Sequence, residues 1–411
     1  MSHSSLFTAQ NRLTNESYPP ATRGTIIVWG MLACLPFGGM VWQVYHYLLP
    51  LRRLGFDVWY VEESDRNLFD AASNFSESED YTANVACLNE FMKMIGLADR
   101  WVYGRPGRND PYVGALDRRG LEDLYRRADA AINLCGAHDI IANSNDFNCL
   151  IYIDTDPVET QVRVAKGDEK QIKKLDPYHY HFSYGANLGA DDCAVPVTRY
   201  PWRPTRPPVC MDLWRTASPP PKPGRMTTVA NLKSNYKTVE WNGETWHWSK
   251  HYEFARFIET PRRTSLALEL ALGAGLSEGD MENIQQHGWH TVSSRPLDDP
   301  LEYRNHIQGS LGEFSVAREQ YVKPRSGWFS DRSVCYLAAG RPVVMQDTAF
   351  GNSIPTGKGL LSFANLDEAQ AALEAIASDY AGQSKAAVEI AETYFDADKV
   401  VGDILSQAGL L

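Results

Sequence analysis

Apolar runs of strand length recur along this chain, most of them closed by a glycine or an acidic residue. Thr25–Gly30 (TIIVWG) is the first, and its unbroken hydrophobicity predicts a buried strand. A loop with Pro36, Gly38 and Gly39 follows. In Met40–Leu54, the residues Val41, Val44, Tyr45, Leu48 and Leu51 then fall on one helical face. Gly55 stops that helix, and Phe56–Val61 (FDVWYV) predicts the next strand. Strand, loop, helix and strand in that order open a doubly wound α/β domain. The alternation continues with helices over 80–95 and 121–128 and strands over 130–134, 150–153 and 181–184.

Eight prolines within residues 201–223 resist both helix and central strand, so a domain boundary is expected there. Beyond it the pattern restarts. Strands are expected over 226–230, 266–271, 289–292, 313–317, 342–346 and 359–363, with helices over 249–258, 278–286, 301–307, 331–339 and 367–377. The expected organisation is a tail over 1–22, a Rossmann-like domain over 23–200, a linker over 201–224, a second Rossmann-like domain over 225–383, and C-terminal helices over 384–411. Ligands of open parallel sheets bind outside the carboxyl ends of the strands, so the loops there are where chemistry is sought.

Composition narrows the function classes. Lys and Arg number 40 against 51 Asp and Glu, a net charge of −11 that argues against nucleic acid as a general partner. The seven cysteines show no CxxC or Cys/His ligand spacing, and most sit in apolar runs, which reads as reduced thiols in a cytoplasmic protein. The polar N-terminus lacks the basic start and apolar core of a signal peptide, and no apolar stretch reaches membrane-helix length. The 11 Trp and 20 Tyr suit stacking on sugars or bases as well as ordinary core packing.

The most informative stretch is 325–363, RSGWFSDRSVCYLAAGRPVVMQDTAFGNSIPTGKGLLSF. A polar loop enters a helix at Ser330, Asp331, Arg332 and Ser333, where free backbone N–H groups and the helix dipole favour phosphate. Plain helix capping by Ser330 or Asp331 is the alternative. The whole stretch resembles the donor-binding segment of the GT-B glycosyltransferases. Ala338-Ala339-Gly340-Arg341-Pro342-Val343-Val344 and Gly359-Leu360-Leu361 carry the likeness.

The resemblance implies two facing Rossmann-like domains with a cleft between them. It also implies that Ser330 to Ser333 hold the diphosphate of a nucleotide-sugar, so that Arg332→Ala loses donor affinity with the fold intact. Asp347 and Thr348 would lie at the donor sugar, with Gly351 and Asn352 in the same wall. Many GT-B enzymes carry a donor-pairing Glu where this chain has Cys335. The first unit, with Gly38-Gly39 before a helix, is also similar, and its loop would face the acceptor. The chain looks, more locally, like an uncharacterised group of bacterial glycosyltransferases.

Inverting transfer needs a base for the acceptor hydroxyl. His138, Asp139, Asp154 and Asp156 lie on strand-end loops. Asp154-Thr155-Asp156 reads as a catalytic or acceptor-binding carboxylate pair, as capping before Pro157, or as a metal-binding Asp-x-Asp. The turn Tyr184–Gly189 (YGANLG) places Asn187 on an acceptor-side or interdomain loop, or in a plain turn. In GT-B proteins the loop after the 226–230 strand closes over the phosphates, so the resemblance implies that role for Lys233 or Lys237 and for Ser234, with a solvated basic loop as the alternative. Asn242-Gly243, between Trp241 and Trp246, signals a β-hairpin.

The function expected is metal-independent transfer of a sugar from a nucleotide-sugar co-substrate to a small-molecule or polymeric acceptor, with no further cofactor. A GT-B-like sugar-nucleotide epimerase, a non-catalytic sugar-nucleotide binding protein and a DNA-modifying glycosyltransferase are the alternatives.

Overall fold

The computed structural model describes residue 13 and residues 18–64, 68–69, 77–78, 80–108, 111–139, 147–216, 218, 222–234 and 237–411. Most of the tail expected over 1–22 lies outside them. The chain divides into two compact units: one holds 1–155, 172–182 and 397–411, the other 156–171 and 183–396.

The first unit is built on a mostly parallel sheet. Its six longest strands are β1 (Thr25–Trp29), β2 (Asp57–Glu63), β3 (Trp101–Gly104), β4 (Ala130–Leu134), β5 (Cys149–Asp154) and β6 (Tyr180–Ser183). They run in the order β6-β5-β4-β1-β2-β3. β1 is buried at all five positions because parallel neighbours flank it on both edges, with Thr25 opposite Asp57 and Ile26 opposite Ala130. Helix α1 (Gly38–Arg53) presents Val41, Val44, Tyr45 and Leu48 to the core, as the spacing predicts. β3 was not read from the sequence. Its four residues stand between Arg100 and Arg105-Pro106, too short a run to show a period.

The second unit carries a six-stranded, wholly parallel sheet: β7 (Arg225–Ala230), β8 (Ala267–Leu272), β9 (His290–Ser293), β10 (Gly312–Ser315), β11 (Val343–Gln346) and β12 (Leu360–Phe363). Their order is β9-β8-β7-β10-β11-β12. The order reverses between β7 and β10, and that is the switch point where doubly wound sheets open a crevice. Leu268, Leu270, Phe314, Val344 and Leu361 of the sheet pack with Phe254, Phe257, Trp289, Leu373 and Ile376 into one core. The Asn242-Gly243 hairpin forms as predicted between Val239–Trp241 and Glu244–Trp246, with both turn residues at positive φ.

Two boundaries differ from those expected. Residues 183–200 belong to the second unit, because the YGANLG turn is locked to the SGW turn. Gly185 bridges Trp328, the Asn187 N–H donates to the Ser326 carbonyl, and the Asn187 amide donates to Arg325 O and to Asp192. Asn352 completes the lock by donating to Asn187 Oδ1 at 3.0 Å. Residues 156–171 join the same unit because Val158 and Val162 pack with Trp246, Trp248 and Tyr321.

Gly327 is the tightest point of this lock. Its φ is +76°, and a Cβ there would lie 2.4 Å from the Asn187 backbone nitrogen. Gly327→Ala is therefore expected to destabilise by about 2–4 kcal/mol, from left-handed strain plus a backbone clash. A urea unfolding midpoint unchanged from wild type would contradict the lock.

The C-terminal helices also separate. Tyr380–Ile390 stays with the second unit, while α2 (Ala397–Gln407) joins the first and packs on α1. None of the described helices is long and apolar enough to cross a membrane.

Candidate functional site

Helix α3 (Asp331–Ala338) starts at the expected place, with Ser330 as N-cap accepting from the Arg332 N–H. Arg332 itself turns inward. Its Nε donates to Glu313 at 2.6 Å, one terminal nitrogen to the Val229 carbonyl at 2.7 Å, and the other to Ser315 Oγ at 2.8 Å. Glu313 is fully buried on β10. Burial opposes the Arg332 charge, but Glu313 outweighs it and holds the guanidinium firmly protonated. Where the sequence reading expected a diphosphate contact, Arg332 here ties α3 to β7 and β10. Ser333 is likewise fully buried, and its hydroxyl donates weakly to Met345 Sδ.

The cation that the sequence reading missed is Lys250. It stands between the hairpin and the short helix His251–Arg256 and is 8% exposed. No acceptor among the described residues takes a hydrogen bond from its amine. Burial lowers its pKa well below the ordinary lysine value, and the nearby charges of Arg332 and Arg318 lower it further, against Glu313. Lys250 and Thr228 line a cavity of about 10 Å³, room for roughly one water. Its remaining walls are apolar, among them Leu270, Phe254, Trp289 and Phe314. Arg318 lies 4.0 Å over the Trp248 ring, and Lys237 lies 4.5 Å from the same ring.

Several buried polar atoms of the second unit lack hydrogen-bond partners among the described residues. Thr228 Oγ1 and Glu313 Oε2, on the two strands of the switch point, are buried and unpaired. So are Ser234 Oγ in the loop after β7 and both amide atoms of Gln320 in the segment after β10. Each such atom costs about 1–3 kcal/mol when left dry.

Asp156 belongs to this unit, where its carboxylate accepts the Tyr321 hydroxyl at 2.7 Å and faces Lys237 at 3.5 Å. It does not cap a helix: the helix begins at Glu159 after Val158, whose φ of +97° is strained for a β-branched residue. Asp331, the first residue of α3, is raised to about 6 by burial and then by the charge of Asp156.

The other candidates are placed as follows. Lys233 pairs with Asp280 at 2.7 Å on the surface, and the Ser234 N–H donates to Ser249 Oγ. Asp347 accepts the Ala349 N–H and faces Arg325 at 3.6 Å. Thr348 is buried and donates to the Trp328 carbonyl. Gly351 lies with Asn352 in a single 3-10 turn. Cys335 is buried and donates to Asp331 O. Asn187 and Asn352 form the lock described above. The sequence motifs therefore meet, but largely to brace one another around the switch point.

In the first unit, His138 stacks on Trp29 at 4.5 Å and lies 3.8 Å from Glu63, whose carboxylate also accepts from Tyr112 and Tyr125. Burial lowers its pKa against the opposing charge of Glu63, favouring the neutral imidazole. Asp139 is exposed and pairs with Lys174 at 2.7 Å. Asp154 is buried at the end of β5. Gly38 and Gly39 open α1, which has no side-chain cap. Among the described residues, no group of three or more His, Cys, Asp or Glu is placed to hold a metal ion.

Neither a protein-family model nor a curated protein matches the chain. Solved structures do. An alpha-glucosyltransferase in complex with UDP and a 13-mer DNA containing a central A:G mismatch aligns over 94% of this chain and 100% of its own, at 10% identity and a TM-score of 0.58. Anabaena HepE in complex with UDP aligns over 94% and 100%, at 10% identity and a TM-score of 0.53. The fold is GT-B. The resemblance seen in 325–363 thus extends to the architecture of nearly the whole chain. In this GT-B chain the signal that could have exposed Lys250 is a lone lysine inside the aromatic run TWHWSKHYEF, since lysine is rarely buried without a purpose.

Proposed function

We propose that this chain is a glycosyltransferase that moves a sugar from a nucleotide-sugar to an acceptor hydroxyl, with the donor diphosphate held at the switch point of the second unit. One observation supports the reading: Lys250 is buried in a small cavity between β7 and β10, the strands of the switch point, with the charges of Arg332 and Arg318 acting on its amine. Positive charge fixed there stabilises the diphosphate as it leaves. UDP in the neighbouring GT-B structures supports a nucleotide-sugar as the donor class.

For an inverting reaction, Asp156 is the base we favour on the second unit, its orientation fixed by the Tyr321 hydroxyl. His138, neutral and beside Glu63, is the alternative on the first unit. We further propose that the reaction needs no metal. The test is a thermal-shift titration with UDP and other nucleoside diphosphates in EDTA. A diphosphate at about 100 times its dissociation constant should add about 2.7 kcal/mol of apparent stability. No response to any of them would overturn the reading. A response present only with a divalent cation would restore Asp154 and Asp156 as metal ligands.

A further inference from the structure

We infer that Glu62 is a positioning residue for the acceptor side of the reaction: as a buried carboxylate on β2, it sets the shape of the loop after β1. This rests on the glycosyltransferase reading above and adds to it a residue that acts through the loop rather than on the substrate.

The loop borders the point where the first sheet reverses its order, between β1 and β4, and a ligand of this unit would meet it there. Its backbone faces inward. The N–H groups of Ala33 and Cys34 donate to the two oxygens of Glu62 at 2.7 and 2.8 Å. The Leu32 N–H donates to the Tyr60 hydroxyl at 2.8 Å, and that hydroxyl donates to Glu62, also at 2.8 Å. The Asn84 amide, on the helix Thr82–Met94, donates to the Ala33 carbonyl at 2.7 Å, and the Phe69 N–H donates to the Cys34 carbonyl. Three successive amides are thus claimed from below by one strand. A loop fixed in this way needs no ordering when an acceptor arrives.

Counting donors fixes the charge state that the loop requires. Two amides, the Tyr60 hydroxyl and the Cys34 thiol all point at the Glu62 carboxylate. An ionised carboxylate accepts all four, whereas a carboxyl group brings a proton among donors and loses a contact. At 2% exposure, Glu62 has little water to make up the loss. The titratable groups facing it are Tyr60 from β2, Cys34 from the loop, and Tyr103 on β3, its register partner. The Tyr103 hydroxyl is buried without a partner among the described residues, and Arg105, just after β3, acts on it. Asn84 is uncharged. Burial raises Glu62 above the ordinary carboxylate value, against the pull of its donors. Protonation therefore sets in at a higher pH than for an exposed glutamate, and it loosens the loop.

The experiment is hydrogen exchange of the whole protein, read by mass spectrometry on peptides spanning 30–37 and corrected for the intrinsic chemistry of exchange at each pH. As the pH is lowered from about 8 to about 4, protection of these amides should fall along a single-proton titration. Glu62→Gln puts a donor where one oxygen accepted. Its loop amides should exchange roughly ten- to a hundredfold faster near neutral pH, with no titration. Tyr60→Phe removes one donor from the ionised carboxylate, so it should keep the titration but move it to higher pH, and it serves if the glutamine variant does not fold. UDP binding by titration calorimetry should match wild type in both variants.

Flat protection in the wild type would overturn the inference, as would the wild-type titration persisting in Glu62→Gln or unmoved in Tyr60→Phe. Loss of UDP binding in the variants alone would make Glu62 a support of the whole fold and overturn its positioning role. Absence of UDP binding in the wild type would instead overturn the donor reading and leave the loop titration standing.

Discussion

Replacing Arg332 by alanine is expected to cost the fold about 3–5 kcal/mol, because it leaves the buried Glu313 carboxylate uncompensated. Arg332 is turned inward in this structure. It holds Glu313 at 2.6 Å, Ser315 at 2.8 Å and the Val229 carbonyl at 2.7 Å, and so ties the first turn of α3 to both strands of the switch point. Equilibrium unfolding in urea reads the loss directly. A Glu313→Gln change in the same chain should recover part of it, since the charge that Arg332 neutralised is then gone. An Arg332→Ala protein with wild-type stability and abolished nucleotide binding would return Arg332 to the role of phosphate ligand.

Lys250→Met is expected to move stability and binding in opposite directions. Methionine is close to lysine in length and apolar, so it fills the same space beside Leu270, Phe254 and Trp289 without a buried amine. Removing that amine should stabilise the unliganded protein by about 1 kcal/mol or more. Losing a charged hydrogen bond to the diphosphate, worth about 1.5–3 kcal/mol, should weaken UDP binding roughly ten- to a hundredfold. Thermal unfolding without ligand and titration with UDP give the two numbers. A residue kept only for packing would show a loss of stability and no change in binding. Gain of stability with loss of affinity is the signature of a residue retained for function.

The architecture was legible because it rests on local patterns. Continuous apolar runs such as TIIVWG, closed by glycine, read as buried strands, and the 3.6-residue spacing after Gly39 reads as a helix, although α1 is buried on nearly every side. What escaped was set by distant contacts. Lys250 sits in an aromatic run that reads as a flap. Its burial comes from Thr228, Leu270 and Phe314, which arrive from three separate strands. Arg332 reads as exposed at a helix start, and only the strand bearing Glu313 draws it inward. Asp156 and Asn187 read as first-half residues by position, but Tyr321 and Ser326, far along the chain, claim them for the second. Burial of charge is a tertiary property, and a linear pattern carries little of it.

The last helix, Ala397–Gln407, completes the first unit although almost the whole second unit precedes it in the chain. During synthesis, therefore, the segment that begins first finishes last. Residues 183–396 emerge with nearly all of their own sheet and core available, whereas α1 must wait for the final residues before the surface it offers to that helix is covered. The usual order of N-terminal unit first is inverted. Truncation before Ala397 would spare the second unit and leave α1 without the helix that covers it.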